Sequence, residues 1–120
     1  MKILIVEDQA AWRQLLGLFL RSMGHQTIEA ENGQEAISRV ATAQPDLIFM
    51  DLGLPDMNGG DVTATLKRNP ETSQIPIAIL SASPVSIWGP KALKAGAARY
   101  LTKPASAFAI RETIETFTSI

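Results

Sequence analysis

Short runs of apolar residues alternate along this chain with longer segments in which apolar residues recur every three or four positions. Most of the runs are rich in Val, Ile and Leu, which is typical of strands that are buried on both faces of a parallel sheet. We predict five strands from them, at residues 3–6, 26–30, 47–50, 75–80 and 99–102. Pro76 is compatible with the fourth strand only near its start, because proline cannot donate to a sheet ladder.

The segments between the strands have the spacing of amphipathic helices. Gly24 is expected to end the first helix and Pro45 the second. Asn32 with Glu35 forms a variant of the capping box, and Ser106 is a candidate cap for the last helix. The apolar positions that we predict to face the core are Trp12, Leu15, Leu16, Phe19, Leu20 and Met23, then Ala36, Ile37, Val40 and Ala41, then Val62 and Leu66, and finally Ile110, Ile114 and Phe117.

The fourth helical segment is the least regular, because it contains Pro84 and the pair Gly89–Pro90. A proline in a helix interior costs about 3 kcal/mol. We therefore expect a loop over residues 83–88 and then a short helix that begins at Pro90, since proline is well tolerated at the first helical position. Trp88 would either fill the groove left by the missing turn or lie exposed as an anchor for a partner.

Five strands that alternate with five helices predict an α/β protein with a parallel, doubly wound sheet and helices on both of its faces. A length of 120 residues suits one domain, and no repeat, low-complexity segment or linker interrupts the pattern. We therefore expect a single domain over residues 1–120.

Composition limits the function classes. The chain is 46% hydrophobic and 19% charged with a net charge of −1, so bulk charge indicates neither nucleic-acid nor membrane binding. There are no cysteines, which excludes disulfides and cysteine-ligated metals. The apolar run after Met1 is too short for a signal peptide or a membrane span, so a cytoplasmic location is expected.

The charges are unevenly distributed. Residues 1–71 contain ten acids and six bases, whereas residues 72–111 contain five bases and no acid. The bases of the second segment form either ordinary solvated helix faces or a basic docking surface.

Polar residues stand where four of the predicted strands end, which is the edge at which parallel α/β sheets place ligands and chemistry. They are Glu7 and Asp8 after the first strand, Asp51 after the third, Ser81 after the fourth, and Lys103 with Pro104 after the fifth. Each has an ordinary explanation when taken alone, as a helix cap, a turn residue, a loop residue or a surface lysine.

Taken together, these residues indicate phosphoryl chemistry. Three carboxylates on one edge repel one another unless a cation lies between them, and oxygen ligands without His or Cys suit magnesium. A divalent ion and Lys103 would balance the charge of the three acids. Such a site can receive a phosphoryl group, with Ser81 as a hydrogen-bond donor and Asp51 as the nucleophile that forms an aspartyl phosphate.

The chain resembles the receiver domain of two-component response regulators, of which the chemotaxis receiver is an example. The matching segments are ILIVED at 3–8, ENGQEAI at 31–37, PDLIFMDLGLPDMNG at 45–59, ILSAS at 79–83 and GAARYLTKP at 96–104. They cover essentially the whole chain in the family's order and spacing. The resemblance implies a flavodoxin-like strand order of 2-1-3-4-5.

The resemblance also implies the metal ligands. Asp8, Asp51 and the backbone carbonyl of Gly53 would bind Mg²⁺ (or Mn²⁺) directly, and Glu7 would contribute through water. Pro55 and Gly59 would shape the loop that contains Gly53, and Pro104 would follow a cis peptide bond.

For the phosphoryl group, the resemblance implies Asp51 as the acceptor, Ser81 as the hydroxyl that follows the group, and Lys103 as the cation paired to it. Tyr100 would be the aromatic switch residue, unless it is simply packed on the sheet edge. Gly53 and Ser83 are small where the family gates the attacking water, so we expect an open site and faster hydrolysis.

The function that follows is that of a phosphoprotein in phosphorelay signal transduction. A histidine kinase, a phosphotransfer protein or a small phosphodonor would phosphorylate the domain, which would catalyse only its own phosphorylation and dephosphorylation. An unknown output partner would bind around Trp88, Lys91, Lys94 and Tyr100. We expect no membrane and no direct nucleic-acid partner for this domain.

Three alternatives stay open at this point. The chain could be the receiver part of a larger regulator or of a hybrid kinase. An aspartate-nucleophile phosphatase of the haloacid-dehalogenase type is disfavoured because it needs a second acid where this chain has Gly53. A flavodoxin-like flavin binder is disfavoured because Glu7 and Asp8 would repel the flavin phosphate.

Overall fold

The computed structural model describes residues 1–118, apart from the side chains of residues 85 and 86, and shows strands and helices in strict alternation. The strands are β1 Lys2–Val6, β2 Gln26–Ala30, β3 Leu47–Asp51, β4 Ile77–Ser81 and β5 Arg99–Thr102. The helices are α1 Ala10–Ser22, α2 Gly33–Ala43, α3 Gly59–Arg68, α4 Val85–Ala95 and α5 Ala107–Thr118. None of these described helices is long and apolar enough to cross a membrane.

The five strands form one parallel sheet in the order β2-β1-β3-β4-β5, which confirms the predicted fold class. Val6 pairs with Met50, so β1 and β3 end side by side. Asp51 pairs with Leu80 and Ser81 with Thr102, so the ends of β4 and β5 lie at the same edge. This register brings the polar residues that follow the strands to one edge of the sheet.

The core consists of two apolar layers, one on each face of the sheet. Leu4 and Val6 of β1 pack in the layer under α2, α3 and α4, whereas Ile3 and Ile5 pack in the layer under α1 and α5. All five residues of β3 are buried. This explains its continuous apolar run, since each fully buried aliphatic side chain contributes about 1.5–3 kcal/mol.

Local signals set several helix ends as predicted. The amide of Glu35 donates to Oδ1 of Asn32 over 2.8 Å at the start of α2. The amide of Ala109 donates to Oγ of Ser106 over 3.0 Å at the start of α5. Gly24, two residues after the end of α1, and Gly96, directly after α4, adopt positive φ values of 89° and 113°, a conformation in which glycine has no steric penalty.

Two positions predicted to face the core do not. Leu15 is 61% exposed and Ala41 is exposed as well. The buried stripe of α1 is centred on Leu16 and Leu20, and Leu15 lies about 100° around the helix from Leu16. The predicted core-facing surface therefore included one exposed residue on each of the helices α1 and α2.

The prediction of a loop over residues 83–88 is wrong. Helix α4 begins at Val85, and Pro90 lies inside it at the sixth helical position. The amide of Trp88 donates to the carbonyl of Pro84 over 3.2 Å, so the first turn is regular. Gly89 and Ala92 are buried on the core side of α4, and this packing offsets the hydrogen bond that Pro90 cannot make.

Candidate functional site

Three carboxylates meet at the carboxyl edge of the sheet. Glu7 and Asp8 follow β1, Asp51 ends the neighbouring strand β3, and one oxygen atom of each lies within 4.8 Å of the others. Carboxylates at this separation repel one another unless a cation lies between them. Because all the donors are oxygens and Asp8 is exposed, the group fits a hard divalent ion such as Mg²⁺.

The three acids have different surroundings. Glu7 is 5% exposed and Asp51 is 9% exposed, whereas Asp8 is open to solvent. Burial raises the pKa of Glu7, and the charge of Asp51 adds to this, while hydrogen bonds from Lys103 and from the amide of Gln9 oppose it. The pKa of Glu7 is raised overall because removing a charge from water outweighs these hydrogen bonds.

Lys103 is the cation of the site. Its ammonium pairs with Glu7 and lies 3.4 Å from Oδ2 of Asp51. Its backbone amide donates to the carbonyl of Ser81 over 2.7 Å, and the peptide bond to Pro104 is cis. The ammonium also lies 5.7 Å from the ring centroid of Trp12, at a distance that allows a cation–π interaction.

Ser81 and Tyr100 are joined through the backbone of Ser83. Ser81 is 3% exposed, and its Oγ accepts from the amide of Ser83 over 3.0 Å. The hydroxyl of Tyr100 donates to the carbonyl of Ser83 over 2.8 Å, and its ring packs against the core. Two hydrogen bonds that share Ser83 therefore connect the Ser81 hydroxyl to Tyr100.

The loop between β3 and α3 is closed tightly against the end of β3. The amide of Gly59 donates to the carbonyl of Leu52 over 2.9 Å, and Gly53 forms an isolated bridge with Asn58. A Cβ atom on Gly59 would overlap the carbonyl oxygen of Asp51, so only glycine fits there. Gly53 itself is exposed, and its amide is 3.3 Å from Oδ1 of Asp51.

A cleft of about 610 Å³ lies over these groups. Its lining includes Asp8, Asp51, Gly53, Ser81 and Lys103, so the sheet edge brings together the residues predicted for metal and phosphoryl chemistry. The cleft is open to solvent, which leaves room for a phosphodonor.

The residues predicted for an output surface lie beside the cleft on α4 and β5. Trp88 is half-buried, packs against the core and lines the cleft. It fills no groove of the predicted kind, because α4 begins at Val85 and lacks no turn. The Lys91 ammonium lies 4.9 Å from the centroid of the Trp88 ring, and Lys94 is exposed. Pro55 lies exposed in the loop after β3.

Sequence reasoning missed Arg13. Its guanidinium is buried, donates to the carbonyl of Glu7 over 2.8 Å and pairs with Glu29 at 2.8 Å and Glu31 at 3.3 Å. It thus ties the end of β1 to the end of β2. The sequence feature that could have identified Arg13 is its place as a charged residue on the inner face of α1, three positions before Leu16.

Sequence reasoning also missed two contacts at the site. Trp12 was predicted only as a core residue, yet it stands over Lys103. Asp56 was not singled out, yet its carboxylate caps α2 through the amides of Gly33 and Gln34. No local signal predicts either contact, because the partners are far apart in the sequence.

Comparison with known proteins decides the family. The family model described as the response regulator receiver domain matches residues 3–115. The chain belongs to this family. It is therefore a receiver domain of two-component response regulators, a signalling family in which phosphorylation of an aspartate and binding of Mg²⁺ in the acidic site are general.

Curated relatives of this receiver domain are of two sizes. It is 34% identical to PilH of Pseudomonas aeruginosa over 116 residues, which cover 94% of this chain and 93% of PilH. It is 32% identical to DivK of Brucella anthropi, with 96% and 94% covered. Identity to the phosphate regulon regulator PhoB of Pseudomonas aeruginosa is 38%, but the match covers only 45% of PhoB and 87% of this chain.

Solved structures of receiver domains have the same fold as this chain. A receiver domain of a histidine kinase from Syntrophus aciditrophicus superposes with a TM-score of 0.90 at 30% identity, covering 98% of this chain and 89% of that one. The receiver domain of the sensor histidine kinase PA1611 from Pseudomonas aeruginosa has a TM-score of 0.91 at 25% identity, covering 99% and 98%. In that structure a magnesium ion is coordinated in the active-site cleft.

Proposed function

We propose that Asp51 is the phosphoryl acceptor of this receiver domain. The observation that carries the proposal is its position, because Asp51 lies both in the carboxylate group with Glu7 and Asp8 and 3.4 Å from the Lys103 ammonium. A carboxylate oxygen of Asp51 attacks the phosphorus atom of the donor, the bond from phosphorus to the donor breaks, and an acyl phosphate results. The donor is a histidine kinase, a phosphotransfer protein or a small phosphodonor.

Asp8, Asp51 and the backbone carbonyl of Gly53 are the proposed direct ligands of Mg²⁺ (or Mn²⁺), and Glu7 contributes through water. The metal supplies neutralisation of the phosphoryl oxygens when it is bound. The accessibility of Asp8 and Gly53 supports this assignment, since both are exposed at the cleft.

Lys103 and Ser81 would then respond to the new charge. Phosphorylation replaces the charge of Asp51 by one of about −1.5 to −2 with further acceptor oxygens, which compete with Glu7 for the Lys103 ammonium. The Ser81 hydroxyl donates to a phosphoryl oxygen. Because the amide of Ser83 is bonded to Ser81 and its carbonyl to Tyr100, this movement shifts the population of the surface around Tyr100. Shifting the ratio of two conformations from 1:99 to 99:1 requires a free-energy difference of about 5.5 kcal/mol.

We further propose that residues 1–120 form a single receiver domain whose only chemistry is its own phosphorylation and dephosphorylation. An output partner of unknown identity would bind around Trp88, Lys91, Lys94 and Tyr100. The match covers nearly all of PilH and DivK but less than half of PhoB, so relatives of both lengths are consistent with a separate receiver and with the alternative of a receiver that is part of a larger regulator.

The test is labelling by acetyl phosphate with MgCl₂, followed by intact mass spectrometry. The wild-type protein is expected to gain one phosphoryl group, and Asp51→Ala is expected to gain none. Asp61→Ala, in which an exposed acid of α3 is removed, serves as the matched control and should be labelled like the wild type. Labelling of Asp51→Ala would show that the acceptor assignment is wrong, and labelling in excess EDTA would argue against the metal.

A further inference from the structure

The loop between β3 and α3 is fastened to a helix that takes no part in the site. Asp56, in this loop, accepts a hydrogen bond from the amide of Gly33 on Oδ1 over 2.8 Å and one from the amide of Gln34 on Oδ2 over 2.9 Å. Both carboxylate oxygens of Asp56 therefore accept hydrogen bonds from the first two residues of α2. The arrangement is favourable because the amides of a first helical turn lack partners within their own helix and carry partial positive charge.

A second contact reinforces this attachment. Gly33 is buried, and a Cβ atom placed on it would lie 2.6 Å from Sδ of Met57 and 2.9 Å from Cγ2 of Val62. Met57 is the residue after Asp56, so the loop contacts α2 through one polar and one apolar residue in succession. The close approach depends on the absence of a side chain at Gly33.

Gly53 lies in the same loop, three residues before Asp56. Gly53 is exposed, and a Cβ atom placed on it would meet no atom of the other described residues within 4 Å, its two chain neighbours apart, so side-chain packing does not hold this position. The backbone of Gly53 is held by its bridge to Asn58 and by the nearby hydrogen bond from the amide of Gly59 to the carbonyl of Leu52. Asn58 in turn follows Asp56 and Met57, so the loop is fixed at the end of β3 and at the start of α2.

We propose that Asp56 is a positioning residue for the metal site: its cap on α2 holds the loop so that the Gly53 carbonyl stays beside Asp51. The inference rests on the proposed function, in which that carbonyl is a metal ligand. Asp56 does not touch the metal, and it acts through Met57, Asn58 and the backbone of the loop. Helix α2 thereby becomes a support of the phosphorylation site.

Two other roles of Asp56 would give different results. If Asp56 only caps α2, its removal lowers stability and leaves Mg²⁺ affinity unchanged. If Asp56 acts only through its negative charge, removal of any nearby acid weakens Mg²⁺ binding equally. Asp61, an exposed acid in the first turn of α3 in the same part of the chain, provides the matched control for charge.

The experiment is calorimetric titration of MgCl₂ into the wild type, Asp56→Ala, Gly33→Ala and Asp61→Ala, each shown to be folded by circular dichroism. We expect the Kd for Mg²⁺ to rise about tenfold in Asp56→Ala, as is usual when a partner that orients a ligand is removed. Gly33→Ala keeps every charge and replaces glycine by a better helix former, yet its displacement of Met57 should also raise the Kd by severalfold. Asp61→Ala should stay within about twofold of the wild type.

An unchanged Kd in Asp56→Ala or in Gly33→Ala overturns the inference, and so does an equal rise in Asp56→Ala and Asp61→Ala. These results leave the proposed function intact, because the wild type still binds Mg²⁺. Absence of Mg²⁺ binding by the wild type would overturn the proposed function itself and this inference with it.

Discussion

The Lys103 ammonium lies 3.4 Å from Oδ2 of Asp51 while it pairs with Glu7, so one cation is shared by two carboxylates. Glu7 follows β1, Asp51 ends the neighbouring strand β3, and Lys103 follows β5 at the edge of the sheet. Because Glu7 and Asp51 are both buried, Lys103 screens a repulsion between them that water screens poorly. A bound divalent cation would perform the same screening.

Replacing Lys103 by Met should therefore destabilise the protein and make it more dependent on magnesium. We expect a loss of about 1–3 kcal/mol in the free energy of unfolding without metal, less than for a fully buried pair because the site opens on the cleft. Saturating MgCl₂ should stabilise Lys103→Met more than the wild type, since the uncompensated carboxylates bind the cation more tightly. Urea unfolding with and without MgCl₂ measures both effects, with Lys103→Arg as the control that keeps the charge. Equal magnesium increments in the wild type and Lys103→Met would contradict the screening role.

The two glycines of the loop after β3 should differ in their tolerance of alanine. A Cβ atom on Gly59 would overlap the carbonyl oxygen of Asp51 and lie 2.9 Å from Cα of Leu52, and these backbone atoms cannot move aside without disturbing β3. We expect Gly59→Ala to cost about 1–3 kcal/mol in urea unfolding. Gly53→Ala should change stability by less than about 1 kcal/mol in either direction, because its Cβ would meet none of the described residues beyond its chain neighbours within 4 Å. Equal costs at the two positions would contradict this packing argument.

The open space at Gly53 also bears on the lifetime of the phosphoryl group. Within the described part of the chain, no atom beyond Gly53 and its two neighbours lies within 4 Å of a Cβ placed there, and Ser83 also lines the cleft and is small, so water would reach an aspartyl phosphate formed at Asp51. We expect Gly53→Gln to lose its phosphoryl group several times more slowly than the wild type, because the larger side chain occupies the path of the water. Intact mass spectrometry after removal of acetyl phosphate measures the decay, with Asp61→Asn as the control. A wild-type lifetime of many hours would count against the open site.

The cap that Asp56 places on α2 should be visible as a pH dependence. Hydrogen bonds from the amides of Gly33 and Gln34 lower the pKa of Asp56. For an acid whose folded-state pKa is lowered, the stabilisation is present above the ordinary Asp value of about 3.9 and is lost as the pH falls through the lower folded value. The difference in urea midpoint between the wild type and Asp56→Ala should therefore be clear at pH 7 and should shrink as the pH is lowered below about 4. A difference that does not change with pH would exclude the ionised carboxylate as its source.

Local sequence patterns were sufficient for most of the secondary structure. The run that became β3 is apolar because both faces of a central parallel strand are covered, and the start of α2 follows from one hydrogen bond between Asn32 and Glu35. These features depend on residues a few positions apart. They are therefore encoded where a single sequence can show them.

Helix α4 shows where local rules fail. The cost of Pro90 in a helix is a local quantity, but the burial of Gly89 and Ala92 against the core depends on the sheet beneath them. Because α4 forms, the free energy gained by this packing exceeds the cost of a proline inside the helix. A prediction from propensity alone could not weigh the two.

The sequence by itself determined which acids, hydroxyl and lysine stand at the strand ends, because a parallel α/β fold sends all of those ends to one edge. Only the tertiary structure decided how they pair. Lys103 contacts Glu7 across 96 positions of the chain, Asp56 reaches Gly33 across 23, and Arg13 reaches Glu29 across 16. Such contacts arise from the packing of separate elements, whose distances no periodicity or spacing within the chain specifies.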